Sequence, residues 1–425
     1  MKTANRVRPE KRPALSPSRC RPATSRVSNR GLSSSTANVS PSFPSGNSGR
    51  KNLTRGGAAR CSSGYTPTRV AATTSPGTRT PASGPWSLSP AAVAEQGPQP
   101  ELRRNPITGE WVIIAAGRGR RPHAPDRMPQ KDQPDHECPF CPGREDQTPP
   151  EVCAFRDSDE SDCPGWSART IPNRFPILVS DAPGAGAGAA YSPDRQPALG
   201  ASEVIIDTPV HDKPPWEVGL DQTVEMLKMY QERIVALREE KRTTYVHIIR
   251  NHLAGAASSL EHPHSQLFGL PFIPPTVDAE LDGFARASLG LPGCVMCDMV
   301  EREEEATERV VAANDGFIAF CPFASRLPYE TWIVPRRHQV RFEDCAELES
   351  FAGIIIQVMR GLKDGLDNPP FNYWIHTYPL RGETRPYHWH LEILPRLTVP
   401  GGLELGADVW VNIVAPEEAA ARLGA

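Results

Sequence analysis

The sequence predicts an α+β fold built from a duplicated strand–helix–strand module, and three observations lead there. Two stretches, roughly 101–275 and 290–397, carry the same landmarks in the same order. Short apolar runs such as 203–206 and 331–334 have the length and β-branched content of strands. Between them, 221–237 places apolar residues three and four apart, the spacing of one helix face.

Along the chain, residues 1–95 hold 15 Lys and Arg against two acids, Glu10 and Glu95, in a Ser-, Thr-, Pro- and Ala-rich background. Such a segment buries too little apolar surface to offset its ordering entropy, so residues 1–98 are assigned to a basic leader without a packed core. Its Arg- and Ser-rich, acid-poor composition resembles an organellar transit peptide, although no amphipathic stripe is clear. The expected location is therefore cytoplasmic, with a plastid as the alternative if the leader is a targeting segment.

The first module, 99–278, opens with a strand at Trp111-Val-Ile-Ile, followed by Arg118, Arg120 and Arg121. Cys138-Pro-Phe-Cys141 comes next, then a Gly-, Ala- and Pro-rich surface loop at 181–200. A strand running from Glu203 towards His211, a helix near 218–240, a strand at 245–249 and His262-Pro-His264 complete it. The second module, 279–425, repeats the series as Cys294-Val-Met-Cys297, a strand from Glu330 towards His338, a helix near 346–363, a strand at 371–376 and His388-Trp-His390. Glu precedes the lone His by eight residues in both copies, and that His leads the pair by 51 residues in one and 50 in the other.

The net charge is −3 for 425 residues; residues 1–95 contribute +13, which leaves −16 on the remaining 330. An acidic folded part argues against a nucleic-acid-binding domain. No run of about 18 apolar residues occurs to span a membrane. Four of the ten cysteines fall in Cys-x-x-Cys pairs amid histidine, and without a secretory signal that pattern points to metal ligation in a reducing compartment.

Zinc takes four soft or borderline ligands in a tetrahedron, and Cys-x-x-Cys brings two thiolates to one ion from a tight turn. Cys138, Cys141, His211 and His262 form the first expected set. In the second copy two sets compete: Cys294, Cys297, His338 and His388, preferred because thiolates hold zinc better, or Glu280, His376, His388 and His390.

In an extended segment His262 and His264 project to one face, so one can be clamped by metal while the other is presented to substrate. A neutral imidazole is a competent nucleophile toward a phosphoanhydride, and the phosphoramidate it forms splits one displacement into two. Gln266 falls on the same face as a hydrogen-bonding but non-titrating partner; a third histidine there would favour water, whereas Gln favours another phosphate acceptor. In the second copy Glu392 occupies that place and would repel phosphate. Cations and donors for the transferring group are expected from the arginines after the first strand and from Asn251, Ser258 and Ser259.

Asn105-Pro-Ile-Thr-Gly-Glu-Trp-Val-Ile-Ile, Cys138-Pro-Phe-Cys-Pro-Gly, Pro172-Asn-Arg-Phe and Leu260-Glu-His-Pro-His-Ser-Gln together resemble the galactose-1-phosphate uridylyltransferase family of the histidine-triad superfamily, over about 103–423. The resemblance implies two histidine-triad-like modules, each an antiparallel sheet with packed helices, and usually a homodimer whose partner completes the active site. It implies that His264 carries the nucleotide, with Gln266 beside it, in a ping-pong reaction between UDP-glucose and a hexose 1-phosphate in galactose metabolism. Arg118, Arg121, Asn173, Asn251 and Ser259 match its nucleotide- and phosphate-binding positions, Glu404 a hexose-contacting one, and Cys138, Cys141, His211 and His262 its zinc ligands. Two departures stand out: Ala257 replaces a family glycine where the backbone nears phosphate, and Leu403 stands where some members have an aromatic. The intact Cys294/Cys297 pair is similar to the ADP-glucose phosphorylase branch, so cleavage of ADP-glucose or a dinucleotide by phosphate through the same histidine is the alternative activity. A non-catalytic zinc protein that binds nucleotides is the alternative from another class.

Overall fold

The structure, a computed structural model, describes residues 99–120, 138–180, 197–290 and 293–424. The leader 1–98, Arg121 and most of the 181–200 loop lie outside these residues.

The strands are β1 (Glu101–Arg104), β2 (Trp111–Ile114), β3 (Cys153–Arg156), β4 (Trp166–Pro172), β5 (Ala201–Ile206), β6 (Tyr245–His252), β7 (His264–Leu270), β8 (Val310–Ala313), β9 (Phe317–Phe320), β10 (Thr331–Pro335), β11 (Phe371–His376), β12 (His390–Pro395) and β13 (Trp410–Asn412). The helices are α1 (Pro215–Val218), α2 (Leu220–Arg238), α3 (Pro275–Ser288), α4 (Val295–Ala306), α5 (Leu348–Leu366), α6 (Gly402–Ala407) and α7 (Pro416–Leu423). Ten strands form one antiparallel sheet in the order β3-β4-β5-β7-β6-β11-β12-β10-β9-β8, and β1, β2 and β13 form a small second sheet.

The duplication is visible in that order. Neighbours β5-β7-β6 are answered by β10-β12-β11, and the copies join where β6 pairs with β11, Asn372 opposite Asn251. The predicted helices and strands are all present, with α2 and α5 as the equivalent helices.

Why the sheet is covered as it is follows from the period-2 alternation of its strands. In β7, Ser265 and Leu267 point to the face that carries α2 and α5, while His264, Gln266 and Phe268 point to the other. Met226, Leu227 and Tyr230 of α2 and Ile354, Ile355 and Val358 of α5 pack there against Ile205, Val246, Ile248, Ile333, Ile375 and Leu391. Each of these large apolar side chains contributes on the order of 1.5–3 kcal/mol by leaving water. Leu227→Ala, at a fully buried position, would cost roughly 2–5 kcal/mol.

On the opposite face α3 and α4 cover the second copy, with Leu281, Phe284 and Met296 on Trp332, Val334 and Tyr387. The first copy has no such helical lid among the described residues; Phe140 of the Cys-Pro-Phe-Cys turn packs on Trp166, Ile171, Val204 and Ile206 instead. That difference leaves the His264 face reachable.

Candidate active site and metal centres

His264 opens β7, and His262 lies just before the strand. The His262 side chain donates from Nε2 to the Thr208 carbonyl at 2.8 Å, which turns Nδ1 toward Cys141 Sγ at 3.6 Å. His211 Nδ1 lies 3.3 Å from the same sulfur. In the second copy His388 Nε2 donates to the Pro335 carbonyl at 3.1 Å, and Nδ1 faces Cys294 and Cys297 at 3.7 and 3.5 Å, with His338 Nδ1 3.7 Å from Cys297. A thiolate and an imidazole on one tetrahedral zinc stand ~3.6 Å apart, so both sets fit that ion. The carbonyl partners fix the tautomers that metal binding needs.

The second-copy sets do not compete as the sequence suggested. His388 belongs to the thiolate set, and Glu392 takes its place in a separate buried cluster with Glu280, His376 and His390, ligand atoms within 4.8 Å of one another. His388 precedes β12, whereas His390 and Glu392 share one face of it. His376 Nδ1 lies 2.9 Å from Glu280, and Arg326 bonds Glu392 at 2.5 Å.

His264 is built differently. Its Nδ1 donates to its neighbour's carbonyl, that of His262, at 2.8 Å, so the ring lone pair resides on Nε2. Burial, aided by the Arg250 cation, lowers its pKa to about 4 and keeps the imidazole neutral at ordinary pH. The matching His390 also bonds back to the His388 carbonyl, at 3.2 Å, but its Nε2 faces the Glu392 carboxylate at 3.4 Å. In the second copy a carboxylate thus stands against the ring nitrogen.

Two cavities meet at His264. One, about 310 Å³, is mainly apolar and lined by Phe140, Ile171, Phe175, Leu260, Asn173 and Gln266, among others. Its size and lining suit a small ligand with a flat apolar part. The other is polar and includes Arg250, Asn251, His252, Ser258, Asp212 and Glu217.

Of the residues expected from the sequence, Gln266, Asn173 and Ser259 join His264 at the apolar cavity, and Asn251 joins it at the polar one. Asn251 also accepts from Asn372 Nδ2 at 2.7 Å, which in turn bonds the Ala256 carbonyl and holds the 253–259 loop. Arg118 is exposed on a 3₁₀ turn and lines neither cavity. Glu404 accepts from the Gly401 N–H at 2.8 Å within α6, and likewise lines neither cavity. Phe140 and Arg250 went unrecognised as site residues. Phe140 sits in plain view between the two cysteines, and its ring meets that of His264 edge-on at 5.5 Å.

Residues 92–274 match the family model described as galactose-1-phosphate uridyl transferase, N-terminal domain. An ADP-glucose phosphorylase of Arabidopsis thaliana is 32% identical over 337 residues, covering 76% of this chain and 91% of the relative. A galactose-1-phosphate uridylyltransferase of Thermotoga maritima is 28% identical over 334 residues, covering 76% and 97%. Among solved structures, an Arabidopsis thaliana ADP-glucose phosphorylase with bound ADP-glucose superposes with a TM-score of 0.66 at 31% identity, over 77% of this chain and 99% of that one. A uridylyltransferase structure superposes at 0.59 with 30% identity, over 76% and 97%. With its duplicated modules, its paired thiolate–histidine sets and one histidine bordering both cavities, the chain belongs to the galactose-1-phosphate uridylyltransferase family.

Proposed function

We propose that the chain transfers a nucleoside monophosphate through His264, from UDP-glucose to a hexose 1-phosphate, by a ping-pong route. The lone pair of His264 Nε2 attacks the α-phosphorus; the P–N bond forms, the P–O bond to glucose 1-phosphate breaks, and the leaving oxygen keeps the electron pair. An oxygen of the acceptor phosphate then attacks the same phosphorus and returns the pair to Nε2. The His262 carbonyl, bonded to Nδ1–H, stabilises the positive charge that develops on the ring. Gln266 offers an amide donor to a phosphoryl oxygen, and the Phe140 cavity takes the nucleoside. The observation that carries this reading is the contrast between His264, which lines two cavities, and His390, whose Nε2 stands against a carboxylate.

A second reading, cleavage of ADP-glucose by inorganic phosphate, has its own support in the Arabidopsis thaliana relative named ADP-glucose phosphorylase. The chemistry at His264 is the same; donor and acceptor differ. Purified protein given UDP-glucose or ADP-glucose without acceptor should release one glucose 1-phosphate per active site from the preferred donor. Turnover that survives His264→Ala would exclude the mechanism.

Zinc is proposed for both thiolate–histidine sets; in the first it cross-links the turn before β7 to the Cys-Pro-Phe-Cys loop and so fixes the backbone two residues from His264. We also infer a homodimer, supported by the apolar side chains of Phe175, Ile177, Leu403 and Leu405, all exposed in the single chain. Glu404, beside two of them, is assigned to the hexose in the partner subunit's site.

A further inference from the structure

On the His264 reading, the second copy carries no nucleotide and shows what this fold does with the same positions there. Across β5, β7 and β6 one row reads Ile205, Ser265 and Arg250; across β10, β12 and β11 the equivalent row reads Ile333, Leu391 and Ile375. Two residues beyond Ile205 stands Asp207, and two beyond Ile333 stands Pro335. A buried ionic row in one copy is thus aliphatic in the other.

That row lies directly under the nucleophile. Asp207 is wholly buried; its carboxylate accepts from Ser265 Oγ at 2.9 Å and pairs with Arg250. Ser265 and Tyr373 both meet the Tyr230 hydroxyl, at 2.5 and 2.7 Å. The Asp207 N–H donates to the carbonyl of Pro263, between the two histidines, at 3.1 Å. The Arg250 guanidinium rests over Trp216 at 4.6 Å and lines the polar cavity with His264, although Arg250 is only 2% exposed. Arg250 Nε and Asp207 Oδ1 have no hydrogen-bond partner among the described residues.

Buried ion pairs seldom stabilise more than a well-packed apolar pair of similar volume, because each ion is stripped of water. Leaving two polar atoms unsatisfied costs more still. The fold has an aliphatic solution for this row and uses it in the silent copy, so stability does not account for the ionic one.

We propose that Arg250, held by Asp207, Ser265, Tyr230 and Tyr373, is a positioning residue for nucleotidyl transfer. It fixes the Pro263–Ser265 backbone that aims His264 and presents a buried cation to the polar cavity, where the anionic phosphates of the donor would lie. The inference rests on the His264 mechanism above.

The test uses the full chain with zinc bound, as Arg250→Met combined with Asp207→Leu, and separately as Arg250→Lys. Thermal midpoint, donor KM and the rate of glucose 1-phosphate release in the first half-reaction are measured with the preferred donor. The double variant should melt within a few degrees of the parent and keep its donor KM within about threefold, while transfer slows by roughly 10²-fold, the scale of a small misplacement of a reacting group. Arg250→Lys keeps the cation and should recover at least a tenth of the parental rate. Parental transfer in the double variant, its failure to fold, or a lysine variant as slow as the double would each overturn the inference. Absence of any burst in the parent would instead overturn the His264 reading itself.

Discussion

Ala257, where the family resemblance implies a glycine, has a backbone that glycine suits: φ is 67° and ψ 27°, the left-handed region. An L-residue there is destabilised by about 1–2 kcal/mol. Glycine removes that strain but loses about 0.5–1 kcal/mol through its freer unfolded chain. Ala257→Gly should therefore stabilise the protein by roughly 0.5–1 kcal/mol, and for a folded part this large the midpoint should rise by about 1–3 °C. Ala256, one residue earlier, is buried and has no positive φ, so Ala256→Gly should lower the midpoint. Scanning calorimetry of the zinc-loaded pair against the parent reads both signs. Because the loop borders the cavities through Ser258 and Ser259, Ala257→Gly should also lower the donor KM a few-fold. A midpoint that falls for Ala257→Gly as it does for Ala256→Gly would refute the strain argument.

Metal analysis of the pure protein should find two zinc ions per chain, falling to one in Cys138→Ser together with loss of nucleotidyl transfer; two ions retained in that variant would contradict the first site. Phe140→Ala should raise the donor KM roughly tenfold, the scale of one lost aromatic–base contact, at unchanged zinc content; an unchanged KM would remove the nucleoside from that cavity. His252 is stacked on Phe371, bonded to Asn368 and held by burial at a pKa of about 4. Between pH 6.5 and 4 the unfolded chain takes up a proton that folded His252 refuses, so stability falls across that window, by on the order of 1–2 kcal/mol at pH 5, and this group adds nothing further below pH 4. His252→Gln should flatten that part of the urea-midpoint profile measured from pH 7 to pH 4; an identical profile would place the titration elsewhere.

Much of the site was legible because its chemistry is local. His262 and His264 are two apart on an extended segment, and Cys138 and Cys141 share a turn, so spacing alone brings each pair together. The duplication then named His211 and His338 as the fourth ligands, and the structure places each beside its thiolates. What the sequence concealed depends on strand register. Asp207 and Arg250 are 43 residues apart and meet only because β5 and β6 both pair with β7. The apolar cavity draws Ile171, Phe175 and Leu260 from separate segments, so no periodicity announces it. The rival ligand sets could not be separated by spacing, since His388 and His390 are adjacent on paper; the start of β12 divides them. Arg118 follows its strand as expected, yet its 3₁₀ turn leaves it exposed and away from the cavities.

On the mechanism proposed, one histidine of the four in the two pairs carries the nucleotide. Intact-mass measurement of the protein mixed with UDP-glucose or ADP-glucose, without acceptor, tests it most directly. The spectrum should show the added mass of one nucleoside monophosphate per chain, mapped by peptide fragmentation to His264 and absent from His264→Ala. No adduct with either donor, or an adduct mapped to His390 or any other residue, would contradict it.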